Sequence, residues 1–196
     1  MANYAVFDIG GTAVKCAVTD GGGYVREKAC FSNPARTDGV GAMIARIVRC
    51  VRAYEAAYPL AGIGVATAGV VDAATGTIPY DAMNIPGYRG TRLKAILSEA
   101  TGLFVAVEND VNCAALGEYW LGAGAGASSL AMLTLGAGVG GALLVEGRIH
   151  HGAFGFAGEV GYLPLHGGSL ESQASTAALL RRVAEAKGLP VDAVDG

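Results

Sequence analysis

Charge is thin in this sequence. Charged side chains make up 16% of its 196 residues, the net charge is −3, and Lys and Arg are scattered with no basic run. Recognition of a polyanion needs clustered positive charge, so no nucleic-acid partner is expected. Proline is rare, 6 residues against 31 glycines. That balance argues against a plain helical bundle and suits strands joined by tight glycine loops. No apolar run reaches the ~18 residues that span a bilayer, and no basic stretch followed by an apolar one opens the chain. Neither a membrane association nor a signal peptide is expected. The four cysteines, Cys16, Cys30, Cys50 and Cys113, fit neither a zinc spacing nor a disulfide framework. They are expected to be reduced, buried small residues of a cytoplasmic protein. His150, His151 and His166 have no third ligand at metal spacing.

What is present is an apolar chain, 52% hydrophobic, long enough for one large domain or two small ones. Strands are predicted over 4–9, 14–19 and 24–31, separated by Gly10-Gly11-Thr12 and Gly21-Gly22-Gly23. Val40, Met43, Ile44, Ile47, Val48 and Val51 recur at helical spacing and predict an amphipathic helix over 39–58, closed by Pro59. A strand over 62–67 comes next, then an irregular stretch over 69–90. A helix over 91–101 ends at Gly102, a residue suited to a left-handed cap. Further strands are predicted over 103–107, 130–135 and 142–145, and helices over 111–121 and 174–187.

Two segments echo each other. "AVFDIGGTAVKCAV" and "AMLTLGAGVGGALL" both read apolar strand, short glycine turn, apolar strand. They suggest equivalent hairpins of two related lobes facing one cleft, with a boundary near residue 110, although two unrelated hairpins would show the same pattern.

A hairpin needs only a residue pair such as Asn-Gly for reversal. Bare glycines between strands also expose backbone N–H groups in a concave loop that binds anions. Thr12 and Thr134 add hydroxyls. Asp8 would repel a phosphate, but it fits beside Mg²⁺, which is held by one or two carboxylates together with substrate phosphates. Lys15 either adds charge to this site or points to solvent. The turns are neither a Walker loop nor a Rossmann fingerprint. Glu108-Asn109-Asp110 stands where a strand gives way to a helix. Such residues can be simple helix caps. Alternatively Asp110 is a general base with Asn109 as its neutral partner, since phosphoryl transfer to a hydroxyl needs little more than positioning, a metal and such a proton acceptor. Glu159 lies in a glycine loop, and Glu171 opens the last helix, where an acid suits the dipole.

"DIGGTAVK", "ENDVNCAALGE", "TLGAGVGGALL" and "AGEVGY" stand in the order and approximate spacing of the ROK family of repressors and sugar kinases, and the resemblance covers essentially the whole chain. It implies an α/β fold of the actin-like ATPase (ribonuclease H-like) superfamily, with lobes over 1–110 and 111–196, and phosphorylation of a hexose or related sugar by ATP and Mg²⁺. It implies a first phosphate loop of Asp8, Gly10, Gly11 and Thr12 completed by Lys15, and a second of Gly136, Ala137 and Gly138, where Ala137 replaces a threonine. It implies Asp110 as catalytic base on the sugar hydroxyl, and sugar contacts from Asn84, Asn109, Glu159 and Glu171. A homodimer is expected at full length.

The sequence departs from the family pattern in three places. Tyr162 replaces a histidine that binds sugar and zinc. "LPLHGGS" stands where a zinc-binding cysteine cluster is expected, so no zinc is expected and the chain looks like the β-glucoside kinase branch. The chain stops at Gly196 where family members continue, so it looks like an N-terminal fragment, and the segment that lines adenine is expected to be missing. The leading expectation is therefore 6-phosphorylation of a hexose or β-glucoside. A glucokinase or N-acetylmannosamine kinase is the alternative. A sugar-responsive repressor is disfavoured because only Met1-Ala2-Asn3 precede the first strand, and a non-catalytic sugar-binding protein would leave Asp8 and Asp110 without a purpose.

Overall fold

The computed structural model describes residues 1–80 and 85–194. The chain divides into two compact units, Met1–Cys113 and Ala114–Gly196.

In the first unit the elements run β1 (Asn3–Ile9), β2 (Ala13–Asp20), β3 (Val25–Ser32), α1 (Ala35–Asp38), α2 (Val40–Glu55), β4 (Leu60–Thr67), β5 (Val70–Asp72), β6 (Thr77–Tyr80), α3 (Leu93–Thr101) and β7 (Phe104–Asn109), with α4 (Asp110–Leu121) crossing out of it. The main sheet is ordered β3-β2-β1-β4-β7. β1 is antiparallel to β2 and parallel to β4, and β4 is parallel to β7. Alternation does the sorting: Ala5, Phe7 and Ile9 of β1 are buried, as are Ile63 and Val65 of β4 and Val105 and Val107 of β7. Burying one face of each strand requires a cover. Met43, Ile44, Ile47 and Val51 of α2 and Leu93 and Leu97 of α3 join those strand residues in one core. Gly102 ends α3 in the left-handed conformation, φ 76°.

The second unit holds β8 (Ser129–Leu135), β9 (Val139–Val145), β10 (Arg148–Ile149), β11 (Pro164–Leu165), β12 (Gly168–Ser169), α5 (Leu170–Ala174) and α6 (Thr176–Lys187). Its sheet is ordered β10-β9-β8 and is antiparallel throughout.

The structure differs from the sequence reading at several points, among them β9, which starts at Val139 and not at 142. The stretch 69–90 is not wholly irregular, because β5 and β6 pair within it. β7 runs on to Asn109 because its pairing with β4 continues to Thr67. The last helix is two helices: Ser175 is extended and its hydroxyl caps α6 by accepting from the Ala178 N–H, 3.2 Å. Glu171 therefore lies in the short α5, which carries its own capping box from Ser169 and Ser172. The cysteines are all free, but only Cys16 is buried and Cys30 is exposed. Cys30 pairs across strands with Lys15, on the face of the sheet opposite the core. No helix among the described residues is long and apolar enough to cross a membrane.

Candidate active site

Three parallel strands end together in the first unit. Ile9 of β1 lies beside Thr67 of β4, which lies beside Asn109 of β7. One residue earlier, Asp8, Ala66 and Glu108 form a row on the face opposite the core. The carboxyl ends of parallel strands are where open α/β sheets bind ligands. Here they lead into Gly10-Gly11-Thr12, Ala68-Gly69 and Asp110.

The first glycine turn is held from outside. Asn33, buried, donates from Nδ2 to the Gly10 carbonyl at 2.8 Å and from its backbone N–H to the Thr12 carbonyl at 2.8 Å. The Gly10 N–H donates to Ala13 O at 3.0 Å. Asp8 stands at the mouth of this turn, half exposed, with Oδ2 accepting from Lys15 Nζ at 3.0 Å. Lys15 is its direct cross-strand partner, and that bond holds the ammonium pKa above the ordinary lysine range. An exposed pair of this kind adds little to stability.

Asp110 is set by its neighbours. Its Oδ1 accepts from Asn109 Nδ2 at 2.9 Å and from the Val111 N–H at 3.0 Å. Burial holds its carboxyl above the ordinary carboxylate range, the Val111 N–H pulls the other way, and the charge of Asp8 adds to the rise. Asn109 Oδ1 accepts from the N–H groups of Val111 and Asn112, capping α4, and Nδ2 also donates to the Gly69 carbonyl at 3.1 Å. The amide of Asn109 is thus bound to protein on both sides.

Asn33 has no place in the sequence reading, and Glu108 enters it only as part of the strand-to-helix junction. Glu108 Oε1 accepts from the Asn109 N–H at 2.8 Å and from Asn112 Nδ2 at 2.9 Å, bracing the junction that presents Asp110. The Asn-Pro pair at 33–34 was the only signal for Asn33, and it reads as a turn. Asn84 lies outside the described residues. The chain just beyond it is anchored, since Ile85 and Tyr88 are buried and the Tyr88 hydroxyl meets Thr67 Oγ1 at 3.0 Å.

In the second unit, Gly136, Ala137 and Gly138 join β8 to β9, and the Gly136 N–H donates to Gly138 O at 2.9 Å. Thr134 precedes them in β8, at the place Asp8 holds in the first hairpin. Gly136 has an ordinary φ and open space where a Cβ would project. The fold does not require glycine there, whereas close approach of a ligand to the backbone would.

"GFAGEVGY" packs on β9 backbone to backbone. The Gly141 N–H donates to Gly158 O at 2.9 Å. A Cβ on Gly158 would collide with the Gly141 carbonyl, and one on Gly161 with the Val139 carbonyl. The glycines on either side of Glu159 are therefore steric necessities. Glu159, Tyr162 and Glu171 come together: burial raises the Tyr162 pKa, and the charges of Glu159 and Glu171 raise it further. Tyr162 is 71% exposed. Among the described residues, no three His, Cys, Asp or Glu side chains gather as a metal site.

A five-stranded sheet in the order β3-β2-β1-β4-β7, a glycine hairpin at its centre and an acid at the end of the last parallel strand define a protein of the actin-like ATPase fold. The chain belongs to the ROK family, whose model matches residues 4–187. It is 37% identical over 200 residues to a glucokinase of Halalkalibacterium halodurans, covering 98% of this chain and 59% of the relative. It is 35% identical over 202 residues to a β-glucoside kinase of Klebsiella pneumoniae, covering 98% and 65%. Among solved structures, a ROK family glucokinase from Streptomyces griseus in complex with glucose and AMPPNP matches with TM-score 0.83 at 30% identity, covering 95% of this chain and 62% of the other. The chain spans less than two thirds of the length of each.

Proposed function

We propose that this chain is the sugar- and nucleotide-binding portion of a ROK sugar kinase, which transfers the γ-phosphoryl group of ATP to the 6-hydroxyl of a hexose or β-glucoside. The observation that carries this reading is Asp110. It sits at the carboxyl end of a parallel strand with Oδ1 fixed by two donors, which leaves Oδ2 to accept the sugar's hydroxyl proton. A pKa raised by burial makes it a better proton acceptor than an ordinary exposed carboxylate.

Asp8, Gly10, Gly11, Thr12, Lys15, Thr134, Gly136, Ala137 and Gly138 are assigned to the nucleotide phosphates. The Asp8 carboxylate already accepts a cation, the Lys15 ammonium, so it fits the role of Mg²⁺ ligand. When bound there, the metal neutralises charge on the transferring phosphates. Asn109 first orients Asp110; a sugar hydroxyl reaches it by exchanging with one of its present bonds. Glu159, Tyr162 and Glu171 contact the sugar, together with Asn84.

The exposed ring of Tyr162 beside two acids favours the β-glucoside form of this reading. An aromatic face with a hydroxyl suits a second sugar ring. The names of the relatives support glucokinase and β-glucoside kinase alike, and the whole protein is expected to act in the cytoplasm as a homodimer.

Coupled ADP release with glucose, N-acetylmannosamine and cellobiose tests the proposal. Asp110→Asn should keep sugar affinity and lose roughly 10²-fold or more in turnover. Near-normal turnover in that variant removes Asp110 from its role. A preference for either monosaccharide with cellobiose inert removes the β-glucoside form.

A further inference from the structure

The acid assigned to the sugar, Glu171, is bonded to the backbone of the second glycine turn. Its Oε2 accepts from the N–H of Val139, the residue directly after the turn, at 3.0 Å. Gly138 lies against the same oxygen, so that a Cβ there would come within 2.5 Å of it. At the other end of the turn, the Gly136 carbonyl accepts from the N–H of Thr176, the first residue of α6, at 2.8 Å. The segment α5–α6 therefore pins both ends of the turn, and the amides of Ala137 and Gly138 lie between the pins. None of the motifs in the sequence links position 171 to position 139.

We propose that Glu171 is the positioning residue of the second glycine turn and that it couples sugar binding to nucleotide binding. One carboxylate oxygen holds Val139 while Oε1 is left for a sugar hydroxyl. A hydroxyl donated to Oε1 fixes the carboxylate and with it the turn, so a nucleotide arriving afterwards meets a turn already ordered. The coupling is reciprocal, because linkage requires that nucleotide tighten sugar by the same factor. Its ligands rest on the kinase reading above; the hold on Val139 does not.

Amide hydrogen exchange at Val139 in the ligand-free chain tests the hold. Glu171→Ala should speed exchange about tenfold or more, the loss of one hydrogen bond to a charged acceptor. Glu171→Gln, which keeps an acceptor oxygen, should stay close to the parent. Unchanged exchange in Glu171→Ala overturns the positioning role. Calorimetric titration of Mg·ATP with and without saturating glucose, on protein of the relatives' full length, tests the coupling. The parent chain should bind the nucleotide at least about fivefold more tightly with glucose. Glu171→Ala, and Gly138→Ala, which displaces the carboxylate without removing it, should bind it equally with and without sugar. Coupling that survives in both variants overturns the proposal. A parent protein of that length that binds neither ligand overturns the kinase reading and the coupling together, and the exchange result still decides the positioning role.

Discussion

The β1–β2 and β8–β9 hairpins carry the same order of residues, apolar strand, glycine turn, apolar strand, in very different surroundings. β1 has β2 on one side and β4 on the other, and its Ala5, Phe7 and Ile9 are almost fully buried. β8 has β9 as its only strand neighbour among the described residues, and Leu133 and Leu135 remain 61% and 67% exposed. The turns differ too. Ile9 faces Val14 across the first and Leu135 faces Val139 across the second, which is one residue shorter. The first is preceded by an acid, Asp8, and the second by Thr134. The comparison teaches that periodicity announces a strand and a glycine turn announces a site, while neighbours decide how deeply each is buried and how it is held.

The two hairpins should separate most sharply at the glycines of the second. Gly161→Ala drives a methyl into the Val139 carbonyl and should cost about 3 kcal/mol or leave the second unit unfolded, as read by urea titration. Gly136→Ala, with open space and an ordinary φ, should keep stability or gain about 0.4–1 kcal/mol and still weaken nucleotide binding. Equal melting of the two variants would mean that the loop does not lie on β9 as described.

Next come the residues that precede the turns. Asp8→Asn removes the proposed metal ligand, and loss of several kcal/mol of charge stabilisation predicts a fall of roughly 10²-fold or more in phosphoryl transfer. Thr134→Val removes one hydroxyl and should cost about 2- to 10-fold. Steady-state kinetics in a Mg²⁺ series separates them, since only Asp8→Asn should raise the metal requirement. Equal losses would make the two hairpins functional equivalents.

Asp110 gives a smaller effect with a definite sign. Its folded pKa lies above that of an unfolded aspartate, chiefly from burial. The folded protein therefore binds this proton more tightly than the unfolded chain does. The ionised group costs stability above the raised value, and the cost fades as pH falls into the ordinary carboxylate range. Asp110→Asn should melt higher than the parent at pH 7, with the gap closing below about pH 4. A variant that melts lower at neutral pH contradicts the assigned environment. The smallest effect is expected from chelation. EDTA should leave the melting temperature unchanged, and elemental analysis should find no stoichiometric zinc; one tightly bound zinc per chain would refute the reading of "LPLHGGS".

Much of the scaffold was legible because local rules sufficed. The alternation in β1, the helical spacing from Val40 to Val51, Gly102 as a left-handed cap and the two glycine hairpins each arise from neighbours a few residues apart. What escaped was anything set by partners distant in sequence. β7 runs to Asn109 because β4 pairs with it that far. Cys30 is exposed because β3 turns it to the face opposite the core. One miss was local: Ser175 divides the last helix because its hydroxyl accepts from the Ala178 N–H three residues on.

Turns, caps and acids could be located from short stretches of chain, because backbone conformational limits and side-chain periodicity act over a few residues. What those groups do to one another is set by packing in the folded chain. Asn33 holding Gly10 and Glu171 holding Val139 are hydrogen bonds whose partners are chosen by strand register and helix placement. Gly158 and Gly161 owe their identity to a backbone packed against them from β9. A polar group drawn out of water needs a partner, and a close-packed backbone leaves no room for a side chain. Both constraints become specific only once the chain has folded.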